Sequence, residues 1–144
     1  LNRVYKGIYS IRDYSSFEVA QKLTTPSYIS FYSALAFHGV IFQLYTSIHS
    51  MALNSKKFLL NDKNYVYHKL KAATFFDSLG IDDKGTYYIA SPERAVCDSL
   101  YLVSDIAFDN LKMIDFEKLK KISKIYDNKR LELEVEKIIT TYRK

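Results

Sequence analysis

The sequence predicts an α+β fold: a small antiparallel sheet flanked by helices, with a C-terminal helical tail. Three observations carry this. Segments opened by Ser or Pro, with apolar residues at helical spacing, occupy 15–38 and 91–103. Between them, residues 40–90 break into short extended runs joined by short polar links, and parallel pairing would need long crossovers instead. Beyond residue 104, two more segments repeat the helical pattern with charges opposite the apolar positions.

Taken in order, "VYKGIYSI" (4–11) is β-branched and aromatic and predicts a strand. Ser15, with Glu18 three residues later, has the form of a capping box and opens a helix to about Leu23. Thr25 then sets Pro26 at the first turn of a second helix, where its missing N–H costs nothing. That helix is expected to run through "PSYISFYSALAFHG" to His38 and end at Gly39, a residue that accepts the left-handed conformation. Strands are expected over 42–53, 56–60, 64–70 and 86–90, with "LNSKK" and "LNDKN" as turns between the first three. In "SPERAVCDSLYLV" Ser91 caps, Pro92 starts the helix and Glu93 sits near the positive end of its dipole. Asp98 lies among apolar neighbours there, and if buried it needs a donor, which Arg94 one turn back supplies. In the tail, Phe116, Leu119, Ile122 and Ile125/Tyr126 form one apolar stripe, and Leu131, Val135, Ile138, Ile139 and Tyr142 another.

The totals bound the class. A chain of 144 residues is one domain able to bury a core, and 4 Gly with 2 Pro argue against disorder. No apolar run approaches the roughly 20 residues of a bilayer span, so no membrane is expected among its partners. The lone Cys97 excludes an internal disulfide and a CxxC zinc site, which fits a reducing, cytoplasmic setting. There are 21 Lys and Arg against 16 Asp and Glu, with basic blocks at 54–71 and 112–130. Such blocks are able to meet a polyanion through counterion release, although Lys also simply keeps exposed faces soluble.

Catalytic patterns are missing. There is no GxxxxGK[ST] or GxGxxG loop, and His38, His49 and His68 have no metal-ligand spacing. Cys97 falls inside an apolar helical stretch, where a thiol stays protonated and inert. The nearest acidic-x-Lys run, Asp82-Asp83-Lys84, falls in an expected turn. The 13 Tyr and 9 Phe read as core builders in a chain without Trp. A non-enzymatic protein with no cofactor and no metal is expected.

Two stretches carry more than this. "PSYISFYSALAFHGV" resembles the "YIS..SAL..HG" segment of the AbiEi family, antitoxin-type transcriptional regulators of bacterial abortive-infection (phage-defence) systems. "YIASPERAVCDSLYL" resembles that family's "a.pEkAl.D.ly" helix. Each is weak alone; both, in this order and at this separation, are considerably stronger. The resemblance covers about 1–103. It implies that 1–12 is a strand ending a winged-helix DNA-binding domain whose remainder is missing, and that 13–144 is the C-terminal antitoxin domain, with 105–144 as tail. It also implies operator DNA as a partner, bound through a winged helix upstream of Leu1. The functional partner it implies is a nucleotidyltransferase-like toxin, countered without a stable complex. A module that docks a toxin or partner regulator directly is the alternative, marked by an apolar patch on the last two helices. Arg3, Lys6, Lys56, Lys57 and Lys63 are candidate DNA-phosphate contacts. The shared positions Tyr28, Ser30, Ser33, His38, Gly39, Glu93, Arg94 and Asp98 are read as structural.

Overall fold

The capping box at Ser15 forms: its Oγ accepts the Glu18 N–H at 3.2 Å and opens helix α1, Ser16–Leu23. In this computed structural model residues 2–5, 8–10, 15–43 and 46–142 are described, the first two stretches as backbone alone. The expected 4–11 strand is instead two short ones, β1 (Asn2–Tyr5) and β2 (Ile8–Ser10), paired antiparallel as a sheet of their own.

The chain does not continue into a second helix at Pro26. The Thr25–Pro26 peptide is cis, and Ser27–Ile29 form strand β3, buried throughout. Only at Phe31 does helix α2 begin, running to Phe37. Proline at a helix start and proline before a strand look alike in sequence. Tertiary context decides between them: aromatic Tyr28 and β-branched Ile29 fill a slot between two other strands. The predicted stop is present, with Gly39 at φ 77° just past α2.

Six strands form the main sheet: β3, β4 (Ile48–Ala52), β5 (Lys56–Leu60), β6 (Lys63–Lys69), β7 (Ile81–Asp83) and β8 (Tyr88–Ala90). Their order is β5-β6-β4-β3-β8-β7. An antiparallel meander was expected, but the sheet is mixed, since β4 runs parallel to β6 and β3 parallel to β8. The cause is local. The chain leaves β4, passes over one strand position to lay down β5, and turns back at Asn61 and Asp62. Both turn residues have positive φ, the signature of a tight hairpin turn, and β6 then returns between β5 and β4. The 42–53 run shortens to β4, and helix α3 (Ala72–Phe75) and strand β7 were not foreseen.

Helix α4 (Pro92–Leu102) is built as expected, with Ser91 Oγ accepting the Arg94 N–H and Pro92 in the first turn. Beyond it, α5 (Phe116–Ser123) is capped by Asp115, continues as a 3-10 turn over Lys124–Tyr126, and is followed by α6 (Lys129–Tyr142). The tail is therefore helical from 116 rather than from 105. Leu119, Ile122, Leu131 and Val135 are fully buried, so α5 and α6 join the one core rather than trailing from it. Helix α1 packs on the sheet face bearing Tyr67, whose hydroxyl donates to the Ala20 carbonyl. The opposite face carries Tyr28, whose hydroxyl reaches α4. The fold class is α+β.

Candidate functional site

Three polar assemblies stand out, and they involve most of the residues singled out in the sequence. The first is a buried node joining the two stretches that carry the family resemblance. Arg94 and Asp98 on α4 have fully buried side chains, with Nε and Oδ1 3.7 Å apart. The Tyr28 hydroxyl bridges them, accepting from Arg94 Nε at 3.2 Å and donating to Asp98 Oδ2 at 2.8 Å. Ser30 donates to the same oxygen at 2.7 Å, and Tyr126 donates to Oδ1 at 2.5 Å. The rest of the guanidinium bonds the carbonyls of Thr74, Asp77 and Leu79, holding the loop that leaves α3. Burying an unpaired ion is costly, and here each charge meets both its opposite and several hydrogen-bond partners. Burial raises the Asp98 pKa, against the opposing pull of Arg94 and the three hydroxyls. It raises those of Tyr28 and Tyr126 as well, and both phenols stay protonated as donors.

The other shared positions are fixed individually. Ser33 Oγ accepts the His49 N–H at 2.8 Å, and His38 Nε2 lies 2.8 Å from the Ala90 carbonyl, to which it donates. Glu93 accepts the Asp115 N–H at 2.9 Å and faces Lys118 at 3.5 Å. The buried Cys97 thiol is pushed up in pKa, as expected of an inert thiol. All of these join elements to one another, in keeping with a structural role.

The second assembly was missed in the sequence. His49 on β4 and His68 on β6 stack with ring centroids 5.2 Å apart, and His49 Nδ1 lies 2.9 Å from His68 Nε2. One proton fits between these nitrogens. Phe31 sets its ring edge-on to both imidazoles and stacks on Tyr32 at 3.8 Å. Its φ of 54° is rare for a bulky residue and follows from the abrupt change from β3 to α2. Burial, and then the neighbouring His68, hold the His49 pKa down to about 4, and burial also lowers that of His68. The pair is neutral at pH 7. Among the described residues no group of three or more His, Cys, Asp or Glu could hold a metal ion.

The third assembly is the basic sheet edge. Lys56 and Lys57 are exposed on β5, an edge strand. Being adjacent, they point to opposite faces. Lys63 is half-buried, with Nζ donating to Ser16 Oγ at 2.7 Å, so it ties β6 to α1 rather than standing free. Arg3 lies on β1 opposite Tyr9, and Lys6 lies outside the described residues. Thus Lys56 and Lys57 share the edge strand but face opposite ways, while Lys63 is diverted to a structural contact. On α6, Leu133 and Tyr142 are exposed but nine residues apart, which turns them to opposite sides of the helix. They do not make one apolar patch.

No protein-family model, curated protein or solved structure matches this chain. No helix among the described residues is long and apolar enough to cross a membrane.

Proposed function

We propose that this chain is the non-enzymatic antitoxin and regulator domain of a bacterial abortive-infection toxin–antitoxin system, of the AbiEi type. Operator reading belongs to a winged helix upstream of Leu1, and the functional partner is a nucleotidyltransferase-like toxin countered without a stable complex in the cytoplasm. One observation carries the reading: Tyr28 and Ser30 from the first family-like stretch meet Arg94 and Asp98 from the second in one buried network. Two segments some sixty residues apart that resemble one family belong together when their side chains complete a single node. Lys56 and Lys57 remain the candidates for phosphate contact, as do Arg3 and Lys6 by their place early in the sequence. Direct docking of a toxin is the weaker reading, because the exposed apolar residues of α6 do not form a patch.

Co-expression with the nucleotidyltransferase-like protein of the neighbouring gene tests the proposal. Growth should be restored by the chain while affinity purification recovers it without the toxin. Continued arrest at full expression of folded protein would overturn the antitoxin reading, and stoichiometric co-purification would replace the indirect mode with docking.

A further inference from the structure

The corner where β8 meets the edge strand β7 holds a feature outside the regulator reading. A cavity of about 260 Å3 opens there, lined chiefly by Tyr28, Phe75, Phe76, Ile81 and Tyr88, with Gln21 at one side. Two of its aromatic walls are poorly covered: Phe76 is 63 % and Tyr88 46 % exposed. The register places an acid beside them. Asp83 faces Tyr88 across β7–β8, and the bonds Ser91 N to Gly80 O and Lys84 N to Tyr87 O mark the alternate, hydrogen-bonded pairs. The 83–88 pair is therefore of the other kind, in which facing side chains approach most closely. Asp77, between the lining residues Phe76 and Ser78, adds a second exposed carboxylate. Each is steadied by one backbone N–H, Asp83 by Gly85 and Asp77 by Leu79. In a chain of net charge +5 this corner is acidic, with Lys84 the single basic residue of 77–84. The same alternation directs the Asp83 N–H and C=O, and the Ile81 C=O, away from β8 and off the sheet edge.

We propose that this pocket seats an arginine side chain from an extended basic segment of a partner protein, whose backbone adds to the edge of β7. Aromatic faces attract a guanidinium, its aliphatic stem lies on apolar walls, and a carboxylate at the mouth takes charge-assisted hydrogen bonds. The outward backbone groups of β7 supply the main-chain bonds of strand addition. Charge selects the occupant, since a nucleic acid or acidic peptide meets Asp77 and Asp83 as like charges. This inference stands apart from the antitoxin reading and survives its failure.

The probe is a labelled five-residue peptide, a central arginine with two valines on each side, titrated into the full chain. Amide shifts in 15N spectra should concentrate at Ile81, Asp83 and Tyr88. Replacing the arginine by citrulline, which removes the charge, should weaken binding by about tenfold or more. Phe76→Ala and Asp83→Asn should each weaken it about fivefold. Both alter exposed side chains, and the asparagine keeps an acceptor for the Gly85 N–H. Equal binding of the citrulline peptide, shifts centred on β5, or no shifts at millimolar peptide would overturn the proposal. So would N-acetyl-arginine amide binding as tightly as the peptide, which would mark a small-molecule site without strand addition.

Discussion

The Arg94–Asp98 node and the His49–His68 pair solve the same problem in opposite ways. Both place ionisable side chains against the sheet face that carries Tyr28, the node fully buried and the histidines half-buried. At the node the ions are matched, because a cation and an anion share the space and three hydroxyls and three carbonyls complete their bonding, which opposes the upward push of burial on the Asp98 pKa. Around the histidine pair the neighbours are aromatic or cationic: Phe31 and Tyr32 crowd it from α2, and the charged group nearest in register is Lys57 on β5. Burial then resolves the matter by discharging the rings. The difference teaches that burial alone does not decide ionisation. What decides it is whether the fold brings an opposite charge along.

The sharpest way to break this contrast is to remove one member of the node. Arg94→Met leaves Asp98 buried without its cation and should cost about 3–5 kcal/mol in urea unfolding. Adding Asp98→Leu should cost less than the sum of the two single changes, because no ion is then left buried alone, although three hydroxyls and three carbonyls still lose their partners. If the double variant is as unstable as the summed single changes, the two residues do not act as a pair. The histidine pair should show itself through pH. Both folded-state pKa values lie below the unfolded value of about 6.5, so on acidification the unfolded chain takes up protons first. The stabilising contribution is complete above pH 6.5 and is lost as pH falls towards 4, the value to which His49 is depressed. Allowing for solvent screening of half-buried rings, stability should drop by about 1–2 kcal/mol between pH 7 and pH 4.5. The His49→Gln/His68→Gln variant should lose most of that slope; an unchanged slope would assign it to other groups. The smallest stability effect belongs to the basic edge. Lys56→Gln/Lys57→Gln should leave unfolding within about 0.5 kcal/mol. In a full-length protein bound to operator DNA, the same change should lower the salt slope by about 1.4–1.8 if both lysines contact phosphate. An unchanged slope would leave them with another task that edge-strand lysines perform, discouraging edge-to-edge pairing.

Legibility followed the range of the interactions. The Ser15 box, the Ser91–Pro92 start, the Gly39 stop and the apolar stripes of α5 and α6 were readable because each depends on residues within one or two helical turns. The Arg94–Asp98 pairing was readable for the same reason, being a contact one turn apart. The contributions of Tyr28, Ser30 and Tyr126 to that node were not, since they arrive from 28 to 70 residues away. The histidine pair stayed hidden because 19 residues and a whole hairpin separate its members, and they meet only once β6 has slipped in beside β4.

By itself the sequence determined the α+β class, the capped ends of α1 and α4, the apolar faces of the last helices and the positive surface. Caps, periodicity and composition act locally and survive without knowledge of partners. Tertiary structure alone decided that Pro26 leads into a strand, that β4 and β6 run parallel, and that Lys63 serves α1. Each of these turns on which distant segment fills a vacant place in the sheet. A short run of Tyr, Ile and Ser suits helix and strand nearly equally, so burial between neighbours settles what local preference leaves balanced.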